Sequence, residues 1–169
     1  PQLYLSGVAS LTREQEQSTE ATVKEVIRRL RSYQTVDGSF SYWPGGTAPN
    51  AWGTVYAIHF LLEAEKKGYL VPEGMKRNAL NDLSRIARNW KPEASYSAES
   101  EEMTQAYRLF VLALGQVAEV GAMNRLKESK TLMSMSRYLL AAGYALVGRP
   151  DVSKELVVKT TALTTACSG

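Results

Sequence analysis

Apolar residues recur along this chain at helical spacing. Val23, Val26, Ile27 and Leu30, extended by Tyr33, follow the i, i+3, i+4, i+7 pattern of one buried face and predict a helix over 14–33. Two capping-box spacings fall nearby, Thr12 with Gln15 and Thr22 with Glu25. Asn50 is a good N-cap, and AWGTVYAIHFLLEAEKK runs from it to a good C-cap at Gly68, which predicts a helix over 51–67. Pro72 sits where the first turn of a helix accepts proline. Behind it Met75, Ala79, Leu80, Leu83, Ile86, Ala87 and Trp90 form one stripe, predicting a helix over 72–90 that stops before Pro92. Ser100 opens the next, with Glu101 and Glu102 complementing its dipole; it spans 101–118 and Gly121 ends it. A short basic turn near AMNRLKE precedes an apolar helix over 131–147, and Pro150 with Asp151 starts an amphipathic one over 151–165.

These elements alternate. Amphipathic helices at 14–33, 72–90 and 151–165 interleave with more apolar ones at 51–67, 101–118 and 131–147. TVYAIHFLLEA, QAYRLFVLALG and SRYLLAAGYAL repeat loosely, with Tyr56, Tyr107 and Tyr138 in one register. The pattern predicts an all-α chain of stacked helical hairpins, inner helices alternating with outer ones, either as a solenoid or closed into a double-layered ring. The length of 169 residues suits one domain covering 1–169.

One stretch breaks the pattern. Residues 33–46 read YQTVDGSFSYWPGG, too glycine-bound for a strand and too broken for a helix. Asp37-Gly38 suits a turn that needs positive φ at Gly38. Gly45-Gly46 lets the chain re-enter the helical layer closely. Phe40, Tyr42 and Trp43 are then carried on the connection between two helices. The favoured expectation is that they are buried there as mortar, because an exposed aromatic patch is costly. The alternative is a recognition surface at the rim.

Composition narrows the chemistry. Hydrophobic residues make up 44%, enough for a packed core. Lys plus Arg is 20 against 17 Asp plus Glu, and a net charge of +3 is no nucleic-acid signature. The basic run Lys24–Arg31 reads as a solvated helix face. No apolar run approaches the roughly 20 residues of a membrane span. PQLYLSGVAS lacks the basic start of a signal peptide, and its abrupt apolar opening is expected of a piece of something longer. Cys167 is the single cysteine and His59 the single histidine, which excludes an internal disulfide and the usual zinc sites. The three aspartates, Asp37, Asp82 and Asp151, form no aspartate-rich motif, and Glu99, Glu101 and Glu102 are better explained as helix-start charges than as paired catalytic acids.

Gln34-x-x-Asp37-Gly38-Ser39-Phe40 resembles the Gln-x-x-Asp-Gly-Ser-aromatic motif of α/α-toroid proteins, a group that includes terpene cyclases. QTVDGSFSYWPGG followed by FLLEAEKKGYLVPEGM resembles the thioester-containing domain of bacterial alpha-2-macroglobulin-like proteins. The opening PQLYLSG is similar to the segment just after that family's thioester motif, and LLAAGYALVGRPDVSKELV also fits. The resemblance implies part of an α/α toroid within a large protease trap. Such a trap is cut at a bait, collapses around the protease, and exposes a Cys–Gln thioester that the attacker's amine opens. It implies a cell-envelope or periplasmic parent, other domains of that parent and target proteases as partners, no cofactor, no catalytic residues and no enzymatic activity.

The thioester needs Cys-x-Glu-Gln, and this sequence holds no such motif; Cys167 is followed only by Ser168 and Gly169. The residues that carry the likeness, Gln34, Asp37, Gly38, Phe40, Tyr42, Trp43, Gly45 and Gly46, are therefore expected to be structural. His59 is the other candidate, because related complement thioesters use a histidine. Its place in the middle of TVYAIHFLL instead predicts a packed side chain bonded to Glu63 or a carbonyl.

Overall fold

The computed structural model describes residues 12–92, 98–129 and 132–166, with side chains to residue 158. It is all-α: helices α1 (Arg13–Leu30), α2 (Ala51–Lys66), α3 (Glu73–Asn89), α4 (Ala98–Leu114), α5 (Val120–Lys127), α6 (Ser134–Leu146) and α7 (Pro150–Ala166), with a 3₁₀ turn at Arg31–Tyr33. Among the described residues β-structure is confined to two isolated antiparallel bridges, Gln34 with Phe40 and Ser41 with Pro49. The chain divides into two compact units, Pro1–Ala79 and Leu80–Gly169, and the division falls inside α3.

Helix ends follow local chemistry. Thr12 caps α1 in a complete capping box: its Oγ1 accepts from Gln15 N–H and the Gln15 side chain accepts from Thr12 N–H. Thr22 lies inside the same helix, and its hydroxyl donates to Ser18 O at 2.8 Å, so the second capping-box spacing is not a helix start. Asn50 Oδ1 accepts from Gly53 N–H at 2.6 Å to open α2. Gly68 and Gly148 close α2 and α6 at φ +88 and +74. In each, the next residue's N–H reaches back across the last turn, Tyr69 to Ala64 O at 3.0 Å and Arg149 to Tyr144 O at 2.9 Å.

The end of α4 departs from the expected 101–118. The helix stops at Leu114, and the left-handed position is taken by Gln116 at φ +61, with Val117 N–H donating to Leu112 O at 3.0 Å. Gly121, the expected terminator, lies in the first turn of α5. A non-glycine at the left-handed position costs about 1 kcal/mol of backbone strain, offset by burial of Leu109, Val111 and Leu112 along α4.

Among the described residues of the first unit the buried apolar side chains are Val23 and Ile27 of α1, Phe40 of the connection, Val55, Ala57, Ile58, Leu61 and Ala64 of α2, and Met75 and Ala79 of α3. The first three turns of α1 carry no buried residue. In the second unit α6 packs chiefly on α4 and α7. Gly143 permits the close approach: a Cβ there would stand 3.2 Å from Met123 Cε and 3.6 Å from Phe110 Cα. The tyrosine register does not survive folding, because Tyr107 is buried while Tyr56 and Tyr138 are exposed.

Candidate functional site

The connection from α1 to α2 is the most heavily braced irregular segment in the first unit. Its brace begins with Gln34, whose side-chain amide donates to Gly38 O at 3.1 Å and to Met75 O of α3 at 2.9 Å. The turn between is closed by Gly38 N–H to Thr35 O at 3.0 Å and Thr35 N–H to Ser39 O at 2.8 Å. Gly38 has φ +106 and lies against α3. A Cβ there would enter the envelope of the Asn78 carbonyl oxygen and stand 2.7 Å from its carbon. Both the dihedral and the contact require glycine. Asp37 is exposed beside it.

Phe40 is buried, and its backbone is held by Thr54 of α2, whose Oγ1 accepts from Phe40 N–H at 2.9 Å and donates to Phe40 O at 3.1 Å. Asn50 N–H also donates to Phe40 O at 2.8 Å, which joins the anchor to the start of α2. One buried ring and one hydroxyl thus fix the exit of the loop to the helix it feeds.

Tyr42 and Trp43 turn the other way. They are 68% and 70% exposed, with ring centroids 4.9 Å apart at an interplanar angle of 80°. The expectation of buried mortar holds for neither ring. Ser39, Phe40 and Ser41 are buried in succession, where the bridges Gln34–Phe40 and Ser41–Pro49 hold the chain, and the aromatics that follow lie beyond those bridges. The backbone beneath them is fixed all the same. Trp43–Pro44–Gly45–Gly46 is a turn with Gly46 N–H to Trp43 O at 3.0 Å and Gly45 at φ +72, the residue pattern of type II. The Ser41 hydroxyl donates to Trp43 O at 2.6 Å, and Gly45 N–H donates to Ser32 O at 2.6 Å.

His59 lies on α2, half-buried. Burial pulls its imidazole below the ordinary histidine pKa, and the charge of Glu63 opposes that shift. Cys167 lies outside the described residues. Among the described residues no three His, Cys, Asp or Glu side chains gather to hold a metal ion, and no helix is long and apolar enough to cross a membrane.

The second unit buries a polar network that pattern reading missed. Arg108, 5% exposed, donates from Nη1 to Gln105 Oε1, and Gln105 Nε2 donates to Ala87 O at 3.0 Å. Burial lowers the Arg108 guanidinium to about 10, with the nearby Asp82 charge opposing; its Nε has no hydrogen-bond partner. Glu102 accepts from Met133 N–H at 2.9 Å and so caps α6 from another helix. The signal for Arg108 was present in the sequence, a charge within the apolar run AYRLFVLAL of α4, whereas Glu102 reads locally as one more helix-start charge beside Glu99 and Glu101.

No family model matches the sequence. Alpha-2-macroglobulin of Xylella fastidiosa (strain Temecula1) is 31% identical over 128 residues, 72% of this chain and 8% of that protein. Alpha-2-macroglobulin of Escherichia coli K12 is 27% identical over 162 residues, 91% of this chain and 10% of that protein. The crystal structure of Salmonella alpha-2-macroglobulin reacted with methylamine shares the fold at a TM-score of 0.79, with 24% identity, over 95% of this chain and 11% of that one. The chain thus spans about a tenth of the length of the curated relatives it matches. Likeness of sequence to two such proteins, over most of the chain, places it in the bacterial alpha-2-macroglobulin family.

Proposed function

We propose that the chain is part of the thioester domain of a bacterial alpha-2-macroglobulin-like protease trap, the toroid scaffold that presents and shelters a reactive segment. The observation that supports this best is a likeness of sequence running through nearly the whole chain. The loop residues bear on it too. Gln34, Gly38 and Phe40 are occupied in holding one connection on α2 and α3, which suits a framework and leaves chemistry to a neighbouring segment. The sequence itself holds no Cys-x-Glu-Gln. On this reading the chain turns over no substrate and needs no cofactor. Its partners are other domains of the parent and, through the intact parent, target proteases, and the parent resides in the cell envelope or periplasm.

The chemistry expected of the parent is acyl transfer. An amine attacks the Gln carbonyl of the thioester, an amide forms, and the Cys sulfur leaves as thiolate. The relative solved after reaction with methylamine was treated with such an amine. The test is to read the coding frame upstream of the Pro1 codon and to treat the purified parent with methylamine. A Cys-x-Glu-Gln in the preceding residues, with one methylamine incorporated per chain and one thiol released, is expected. A long multidomain frame without that motif refutes the covalent mechanism. A frame that starts at Pro1 with no further domains refutes the trap altogether and favours a stand-alone helical interaction module.

A further inference from the structure

We propose that Tyr42, Trp43 and Pro44 form a rigid docking knob that enters an apolar socket, rimmed by a carboxylate, on an adjoining part of the parent polypeptide. This rests on the reading above that a longer parent exists. Three observations carry it.

The first is exposure. Two adjacent aromatic rings at 68% and 70% exposure, continued by the exposed Pro44, make one continuous apolar projection. Exposed apolar surface of this kind marks interaction sites, and Trp and Tyr are the residues that dominate interface energies.

The second is preorganisation. A knob on a mobile loop spends binding energy on ordering. Here the type II turn, the Ser41 and Ser32 hydrogen bonds and the Phe40–Thr54 anchor fix the backbone before any partner arrives, and the rings pack edge to face. That removes much of the ordering cost of docking.

The third bears on the occupant. The relatives are about ten times as long as this chain, so polypeptide of the same molecule is available to cover a surface left bare here. The Gly45–Ser32 bond places the knob beside the end of α1, where Arg31 is exposed next to Ser32. Arg28 and Arg29 lie one turn back and both share Glu25, at 2.7 Å each. Among the described residues no carboxylate pairs with Arg31, and this exposed positive rim calls for a carboxylate opposite it.

The experiment isolates the Trp43 signal as the difference between each protein and its Trp43→Phe variant, in both this chain and the intact parent. Acrylamide should quench Trp43 readily in the chain. On going from 70% exposed to buried in the parent, its quenching constant should fall by at least about fivefold. Trp43→Ala should leave the melting curve of the chain unchanged and speed limited proteolysis of the parent. Equal quenching in chain and parent overturns the proposal. Protection that appears in the chain alone and rises with its concentration overturns the assigned occupant in favour of a second copy. Methylamine incorporation reads the thioester independently, so either idea can fail while the other stands.

Discussion

Gly38→Ala is the most exacting test of the loop. The new Cβ would overlap the Asn78 carbonyl oxygen, lie 2.7 Å from its carbon and 3.3 Å from Ala79 N, all backbone atoms of α3. Helix backbone cannot swing aside as a flexible side chain does, so the loop must retreat. Overpacking of this kind costs about 1–3 kcal/mol. At φ +106 an alanine adds about 1–2 kcal/mol of strain. Retreat also stretches the Gln34 amide bonds to Gly38 O and Met75 O, worth about 1 kcal/mol each. Together these give a loss of about 4–7 kcal/mol, a large share of the stability of a typical domain. Urea unfolding followed by far-ultraviolet circular dichroism and tryptophan fluorescence reads it. With a slope of about 2 kcal/mol per molar, the midpoint should fall by roughly 2–3.5 M. Gly45→Ala is the control, because Gly45 has φ +72 and a Cβ there would meet nothing within 4 Å. It should cost only the dihedral strain, about 1–2 kcal/mol. Equal losses for the two variants would refute the claim that contact with α3 makes glycine necessary at 38.

Two further outcomes follow from the buried titratable groups. Arg108→Met should cost about 1–3 kcal/mol in urea titrations, because it strips the buried Gln105 Oε1 of its donor, and Asp82→Ala should cost about 3 kcal/mol, because it removes both the Arg85 ion pair and the charge that opposes desolvation of the Arg108 cation. His59 is depressed in the folded chain, so the unfolded chain takes up its proton first as pH falls below the ordinary value of 6.5; stability is full above that pH and declines as pH drops toward the folded value. As the single histidine it gives one clean imidazole resonance by NMR, and a midpoint at or above 6.5 would contradict the burial argument.

The sequence alone determined where helices begin and end wherever the signal is a single residue acting on its own backbone. Thr12 with Gln15, Asn50 and Gly68 bond or bend within a turn of themselves, so their roles depend on nothing distant. The motif from Gln34 to Phe40 was legible as a structural turn for the same reason, and Gly38 shows the positive φ that Asp-Gly suggests. Tertiary structure decided the rest. Gln34 reaches Met75, 41 residues away, and Glu102 caps a helix through a residue 31 positions later; no local pattern encodes such partners. Gln116 holds a left-handed position that propensity assigns to glycine, because burial along α4 outweighs about 1 kcal/mol of strain. The aromatics show the division most plainly. Phe40, Tyr42 and Trp43 carry the same hydrophobic signal, yet only Phe40 is buried. Phe40 is held by Thr54 and Asn50 at the start of α2, contacts that exist only once that helix is in place, whereas Tyr42 and Trp43 lie beyond the bridges in a turn closed by its own backbone.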